Sequence, residues 1–461
     1  MPTLLWTDGL FFLLLIAAAG FAWYSSRHAH LRAPWRDVMR RPVGVASAIV
    51  LGVFVLIGTL DSMHFRPPAA AAGSVRCSPD VQSVLDVVLQ PLCARPEKTY
   101  SAPFALHGFT REVTTRADGT VALAYPRLQY GGAHLDNDAD RGHDVARHAG
   151  VAMLVALMVT AFVAWVWAYR VRETGEGTGA SLLRLLRGGT SYPARTVLVT
   201  IGFMVLVVCL IATLGTRYHV FGTNQVGRDV LVIALKSIRT GLIIGTLTTL
   251  VMLPIAIALG IAAGYFRGRV DDVIQYLYTT LSSIPGVLLI AAAVLSLDVY
   301  ISTHADQFNR VSDRSDLRLL FLCIILGVTS WTGLCRLLRG ETLKLREIEY
   351  VQAAHAMGVA PLRVMVAHIL PNVAHIILIT VVLDFSALVL AEAVLSYVGV
   401  GVDPSTESFG NMINGARLEL GRDPAVWWPL AAAFVFMFAL VLAANLFADA
   451  VRDAFDPRMR K

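Results

Sequence analysis

Long apolar runs constrain this chain more than any other feature. Crossing a hydrocarbon core about 30 Å thick takes roughly 20 apolar residues. Runs of that kind lie at about 4–23, 43–60, 150–169, 195–214, 238–263, 272–297, 318–337, 373–395 and 427–449. A bilayer interior offers no water to the backbone, so each run must satisfy its own N–H and C=O groups, as a helix does. The expected fold is therefore an all-α polytopic membrane protein with about nine transmembrane helices. Charge content agrees, at 16% of residues against about a quarter in soluble globular domains.

The formal charge of +6 is spread between the apolar runs and not gathered on one amphipathic face. That distribution suits membrane topology and gives no support to nucleic-acid binding. Alternate connecting segments (24–42, 170–195, 264–271, 336–372 and 450–461) hold 21 of the 39 Lys and Arg residues, and the long segment 61–149 holds nine. Basic short loops mark the cytoplasmic side, whereas long segments are translocated largely regardless of charge. The expectation is a multi-pass protein of the inner (plasma) membrane, with the N-terminus and 61–149 outside and the C-terminus in the cytoplasm. The first run could also serve as a signal peptide. It lacks a basic leader, however, and cleavage would expose five arginines from Arg27 to Arg41 to the outside. It is read as an uncleaved anchor.

Segment 61–149 opens with a Pro/Ala-rich linker, RPPAAAAGS, followed by a helix-like run, PDVQSVLDVVLQPLC. Beyond it, REVTT and TVALAY read as two strands joined by a turn at Asp118-Gly119. The segment is expected to form a small α+β extracytoplasmic insertion. Cys77 and Cys93 both fall in it, in a compartment that permits a disulfide, and their spacing alone leaves the pairing open. Cys209, Cys323 and Cys335 lie in apolar runs, as small buried thiols do. The stretch HLDNDADRGHDVARH gathers His134, Asp136, Asp138, Asp140, His143, Asp144 and His148, which are metal-ligand residue types. The calcium-loop template needs Gly where Arg141 stands and an acid where Arg147 stands. The stretch is read as a solvated polar linker, and no metal is assigned.

In the cytoplasmic block, LLRGETLKLREIEYVQAAHAMG has the pattern of an amphipathic helix, with Ala353, Ala354 and Met357 at helical spacing. Gly358 can adopt the left-handed conformation that ends a helix, and Pro361 suits the first turn of the next. Pro371 is expected to close that second short helix before the membrane run. A helix–turn–helix corner on the cytoplasmic side follows, a shape that an ordinary interfacial helix pair would share.

Here the residues carry a resemblance. Ala353-Ala354, Gly358 and Ile369-Leu370-Pro371 resemble the EAA loop of ABC-importer permeases. Gln352 stands where Glu gives that loop its name, and His368 takes the usual Ile position. Both departures, with the ending HILPN, resemble the dipeptide/oligopeptide/nickel branch. FGTNQVGRDV (221–230) is similar to that branch's FGTDxxGRDV, with Asn224 replacing Asp. AAGYFRGRVDD, EAVLSYVGVGVDP (392–404) and NLFADAVRDAFDPR (445–458) resemble its later motifs. The similarity covers about 196–461 and is closest to the second-permease, C-type subunit. Residues 1–195 match nothing in the common six-span form. The expected organisation is a two-span anchor at 1–60, the insertion at 61–149, a third extra span with its linker at 150–195, and a permease domain at 196–461 carrying the EAA loop at about 345–372.

The resemblance implies a passive half-channel that is not an enzyme and needs no cofactor, and the chain contains no GxxxxGK[ST] phosphate loop. It implies as partners two ABC ATPase subunits, a homologous second permease, a periplasmic or surface solute-binding protein and the lipid bilayer. Carried over to this sequence, ATPase coupling would fall to Glu349, Gln352, Ala353, Ala354, Gly358, Pro361, Leu370 and Pro371. Gly222, Thr223, Gly227, Arg228 and Asp229 would meet the binding protein or line the pore mouth, although loop stabilisation explains the same residue types.

Polar residues inside spans face a bundle or a wet cavity, which makes Thr279, Ser282, Ser283, Asp384 and Glu392 pathway candidates. Helix–helix hydrogen bonding is the alternative. The thirteen Leu, Ile, Val and Phe residues of 376–395 contribute roughly −4 to −8 kcal/mol to insertion, and an ionised Asp at mid-span costs about 2.5–3.5 kcal/mol. Asp384 is thus expected either to have a structural partner or to border a cavity and attract a peptide's ammonium end. Di- and oligopeptides are the cargo this branch suggests, with nickel chelates and peptide antibiotics as alternatives. A sensor or scaffold acting through 61–149 would leave the C-terminal motifs unexplained. A membrane hydrolase would need an HExxH or GxSxG motif, and neither is present.

Overall fold

The computed structural model describes residues 5–66, 77, 81–115, 121–171, 178–187, 192–304 and 310–455. In chain order, α1 (Trp6–Arg27), α2 (Ala29–Arg40) and α3 (Pro42–Ser62) precede the insertion. The insertion holds β1 (His64–Phe65), β2 (Gln82–Ser83), α4 (Val84–Val88), α5 (Gln90–Cys93), β3 (Glu112–Thr115) and β4 (Val121–Ala124). Next come α6 (Arg141–Arg170), α7 (Thr178–Arg187), α8 (Ala194–Gly215), α9 (Val230–Phe266), α10 (Gly268–Ser283) and α11 (Gly286–Thr303). The chain finishes with α12 (Val311–Arg346), α13 (Glu349–Ala356), α14 (Pro361–Val364), α15 (Leu370–Tyr397), α16 (Phe409–Glu419) and α17 (Trp428–Phe455). Nine helices among the described residues are long and apolar enough to cross a membrane, so the protein is an all-α polytopic membrane protein. Its insertion is α+β, with β1–β2 and β3–β4 as antiparallel pairs. The turn expected at Asp118-Gly119 lies outside the described residues.

Two expectations need correction. The run at 272–297 is not one helix: α10 ends at Ser283 and α11 starts at Gly286, so the apolar span is Gly286–Thr303. Pro285 has no N–H to donate and its ring collides with the preceding turn, while Ile284 before it is pushed to an extended conformation (φ −88, ψ 128). Pro371, in turn, does not end a short helix. Helical structure runs from Pro361 to Tyr397, passing through a π-helical turn at Met365–Ile369. The wider i→i+5 turn, in which Leu370 N–H donates to the Met365 carbonyl, lies directly before Pro371, which has no N–H to donate.

The chain divides into two compact units. Among the described residues, one comprises those within 36–240 and 407–443, and the other those within 5–35, 241–406 and 444–455. In the first, α6, α7 and α8 pack around Ala168, Leu185 and Ala194, and the insertion packs on Leu214 and Tyr218. In the second, α9 and α12 approach closely at glycines. A Cβ on Gly260 would lie 2.8 Å from the Cys335 carbonyl oxygen, and one on Gly264 2.6 Å from Thr342 Cβ. This is the small-xxx-small contact of membrane helices, where van der Waals packing drives association.

Candidate functional site

The corner at 349–364 is built on α13 and α14. Val351, Ala354 and Val364 are buried in an apolar cluster with Tyr265, Tyr278, Trp331, Leu338 and Val373. That burial anchors one face of the corner and leaves the other outward. Glu349, Gln352, Ala353, Gly358, Pro361 and Pro371 are exposed, and Leu370 is half-buried. At the tip, Met357 is 77% and Leu362 69% exposed. Gly358 has φ +75 with nothing near a would-be Cβ, so it serves the turn alone. Of the sequence-predicted coupling residues, Ala354 therefore faces the protein's own core, Leu370 packs partly against it, and the others are exposed. Polar contacts stiffen the corner. Gln352 Nε2 donates to the Glu347 carbonyl (3.2 Å), Asn372 Nδ2 donates to the Tyr350 hydroxyl (2.9 Å), and Arg346 donates to the Tyr265 carbonyl (2.7 Å). Behind it, Arg339 donates to both oxygens of Asp271 (2.5 and 2.8 Å), the bidentate geometry guanidinium favours.

The loop 221–230 is covered by this chain's own insertion. Thr223 N–H donates to the Ser101 carbonyl (3.1 Å) and Glu97 N–H to the Gly227 carbonyl (3.0 Å). The Thr223 hydroxyl accepts from Ser101 N–H (2.7 Å) and donates to the Thr99 carbonyl (2.8 Å). Trp428, 1% exposed, donates its indole N–H to the Thr223 carbonyl (2.9 Å) and packs edge-on to Phe109. Gly222 and Gly227 have φ of +66 and +74, and a Cβ on Gly227 would sit 1.7 Å from the Glu97 carbonyl oxygen. Both glycines are thus required twice, by conformation and by close approach. Gly222, Thr223, Gly227 and Asp229 are buried. Arg228 is half-buried and its side chain pairs with Glu407 at 2.6 Å.

Beneath this loop lies a buried charge cluster that sequence reading missed. His219 Nδ1 stands 2.9 Å from Asp229 Oδ2, and Nε2 lies 3.5 Å from Glu97 Oε1, an ion-pair contact at the edge of hydrogen-bond reach. Glu97 also accepts from the backbone N–H groups of Gln129 (3.0 Å), Tyr130 (2.8 Å) and Gly131 (3.1 Å). Burial alone would depress His219, but Asp229 and Glu97 lift it to about 9. Burial likewise works against ionised Glu97, yet His219 and the three N–H groups hold it at about 2. Nearby, Lys236 pairs with Asp86 at 2.9 Å, and Ser83 donates to Asp61 at 2.7 Å. Cys77 and Cys93 are joined by a disulfide with Cα atoms 5.1 Å apart.

The His/Asp stretch disperses. Asp144 draws in His134 (2.8 Å), His148 (3.3 Å) and the Tyr218 hydroxyl (2.7 Å), while Asp136, Asp138, Asp140 and His143 are exposed. Among the pathway candidates, Thr279, Ser282 and Ser283 on α10 are exposed, while neighbouring Tyr278 is buried. Asp384 is half-buried on α15. Glu392 is 1% exposed and accepts from Ser396 Oγ at 2.8 Å, an interior position.

Among the described residues, nine helices long and apolar enough to cross a membrane and an exposed corner at 349–364 define a multi-pass membrane protein. Residues 256–461 match the family described as binding-protein-dependent transport system inner membrane component. The oligopeptide transport system permease protein OppC of Mycobacterium tuberculosis is 32% identical over 246 residues, 53% of this chain and 78% of that protein. The dipeptide transport system permease protein DppC of Lactococcus lactis is 31% identical over 240 residues, 52% of this chain and 64% of that protein. OppC of Bacillus subtilis is 29% identical over 246 residues, covering 53% and 74%. The chain belongs to this permease family, in its OppC/DppC, C-type branch.

Proposed function

We propose that the chain forms half of the translocation pore of an ATP-driven, binding-protein-dependent importer of di- or oligopeptides. In this reading two ATPase subunits dock on the corner at 349–362, and a homologous second permease completes the pore. The carrying observation is the corner itself. A tip of exposed Met357 and Leu362, set on helices whose other faces are buried, can pass ATPase motion to α12 and α15 without yielding. Rocking of those helices would open a central cavity to each side in turn.

The orientation, with the N-terminus outside and the C-terminus in the cytoplasm of the inner membrane, is supported by two contacts. The N–H of Trp6 donates to Asp316 (2.8 Å) at the start of α12, and Trp35 packs edge-on to Phe455 near the end of α17. Each joins ends that the proposed topology assigns to the same side of the membrane, and the basic short loops carry the choice of which side. Asp384 has no hydrogen-bonding or ion-pair partner among the described residues, which favours the cavity role over a structural pair.

Uptake of a labelled tripeptide into proteoliposomes holding the full complex tests the proposal. Leu362→Asp is expected to cut uptake at least tenfold while the chain still inserts and melts as before. Normal uptake in that variant would refute coupling through the corner. In the same assay Asp384→Asn should weaken uptake several-fold for peptides with a free amino end, and unchanged uptake would remove the ammonium role.

A further inference from the structure

The β3–β4 hairpin of the insertion turns its apolar face to solvent. Val113 and Leu123 are directly opposed across the two strands, and they are 68% and 69% exposed. By strand alternation Arg111 and Tyr125 stand on the same face, with the Arg111 guanidinium 5.3 Å from the Tyr125 ring centre. Glu112 and Ala124, on the opposite face, are half-buried. A two-stranded pair usually keeps its apolar side against the body and its polar side in water. Here the order is reversed, and an aromatic–arginine pair borders the apolar centre, as at protein interfaces.

The hairpin is also tied to the outer loop. Leu128 N–H donates to the Leu106 carbonyl (2.9 Å), Gly108 N–H to Pro126 (2.7 Å) and Phe109 N–H to Tyr100 (3.0 Å). From there Ser101 reaches Thr223. Of the outer loop itself, Gln225 and Val226 remain exposed at the tip. Anything approaching that loop from outside meets the insertion, and the hairpin is continuous with the loop through backbone hydrogen bonds.

We propose that the outward face of this hairpin, centred on Val113 and Leu123 and flanked by Arg111 and Tyr125, is the docking surface for the soluble solute-binding protein. The inference rests on the importer reading above. Its occupant follows from the family's dependence on a binding protein, from the outside placement of 61–149, and from the covering of the outer loop by the segment that carries the hairpin. Docking there would reach the Thr223 loop, and through it the start of α9, along the bonded path just described.

The test uses the whole transporter in nanodiscs, meaning this chain with its companion permease and ATPase subunits, and the purified binding protein of the same system. Val113→Glu combined with Leu123→Glu is expected to raise the Kd at least tenfold. The ATPase stimulation at subsaturating binding protein should fall in step, with basal ATPase unchanged. An unchanged Kd would overturn the docking surface. Should trypsin protection of the insertion fall in the double variant, Arg111→Glu alone decides, with at least a threefold affinity loss expected and none overturning the proposal. Loss of a self-associated species with an unaltered Kd would assign the face to a second copy and overturn it too. A wild-type complex unresponsive to any binding protein would overturn the importer reading and the docking surface together, whereas a response untouched by the substitutions overturns the docking surface alone.

Discussion

Gly227 and Gly358 hold nearly the same backbone conformation, φ +74 and φ +75, in opposite circumstances. Around Gly227 the chain closes on itself, with the Glu97 carbonyl where a side chain would be, a buried histidine between two carboxylates beneath, and Trp428 bonded to Thr223 in the same loop. Around Gly358 there is open space, flanked by exposed Met357 and Leu362. The turn at 222–227 is covered by the insertion, while the turn at 357–362 is left exposed. A left-handed glycine thus marks a turn in both places and says nothing about whether the turn is occupied.

Substitution at the two glycines should separate these circumstances most sharply. Gly227→Val adds both backbone strain and a collision with a carbonyl that cannot rotate away. It should cost more than about 3 kcal/mol and release the insertion, read as rapid proteolysis of 81–135 with the spans still inserted. Next in size is the charge cluster. His219 is held at about 9, above its ordinary 6.5, so its stabilisation is fully present below pH 6.5 and is lost as pH rises through about 9. Glu97, held at about 2 against an ordinary 4.5, contributes above pH 4.5 and loses that contribution as pH falls through about 2.

The insertion should therefore be tightest between these limits and lose about 3 kcal/mol on going from pH 6 to 9.5. Hydrogen exchange at Thr223 and Gly227 would show it, while exchange at 349–361 stays level. Glu97→Gln should lower the plateau and flatten the alkaline loss. The smallest effect belongs to Gly358→Ala, where only the left-handed conformation is disfavoured, by about 1–2 kcal/mol. It should trim coupled ATPase activity slightly and leave the insertion protected. A Gly358→Ala effect as large as that of Gly227→Val would erase the distinction between the two corners.

Much of the fold was legible. The nine apolar runs, the α+β character of the segment between the second and third, and the Gly358 and Pro361 corner all follow from bilayer thickness and local backbone rules. Two errors came from prolines whose local signal was present. Averaging apolar content across 272–297 hid the break at Pro285. Pro371 marked a real irregularity, but a π-helical turn absorbed it where a helix end was expected. The Gly260 and Gly264 pair was also readable, since glycines four apart in an apolar run point to a close helix crossing. Ala354 and Met357 share a helical spacing, yet only Ala354 is buried. Periodicity lists the residues of a face without saying what covers it.

The sequence by itself determined how many apolar runs are long enough to cross a bilayer, where the long polar segment interrupts them and where the Gly358 turn must fall. These depend on transfer of apolar groups from water and on hydrogen bonds within a few residues. Only the tertiary structure decided that Glu97, His219 and Asp229 meet, that Thr223 lies beneath Ser101, and that Val113 and Leu123 face outward. Those pairings join segments as far apart as 122 residues, and their energies depend on which surfaces exclude water from one another, a property no local stretch carries.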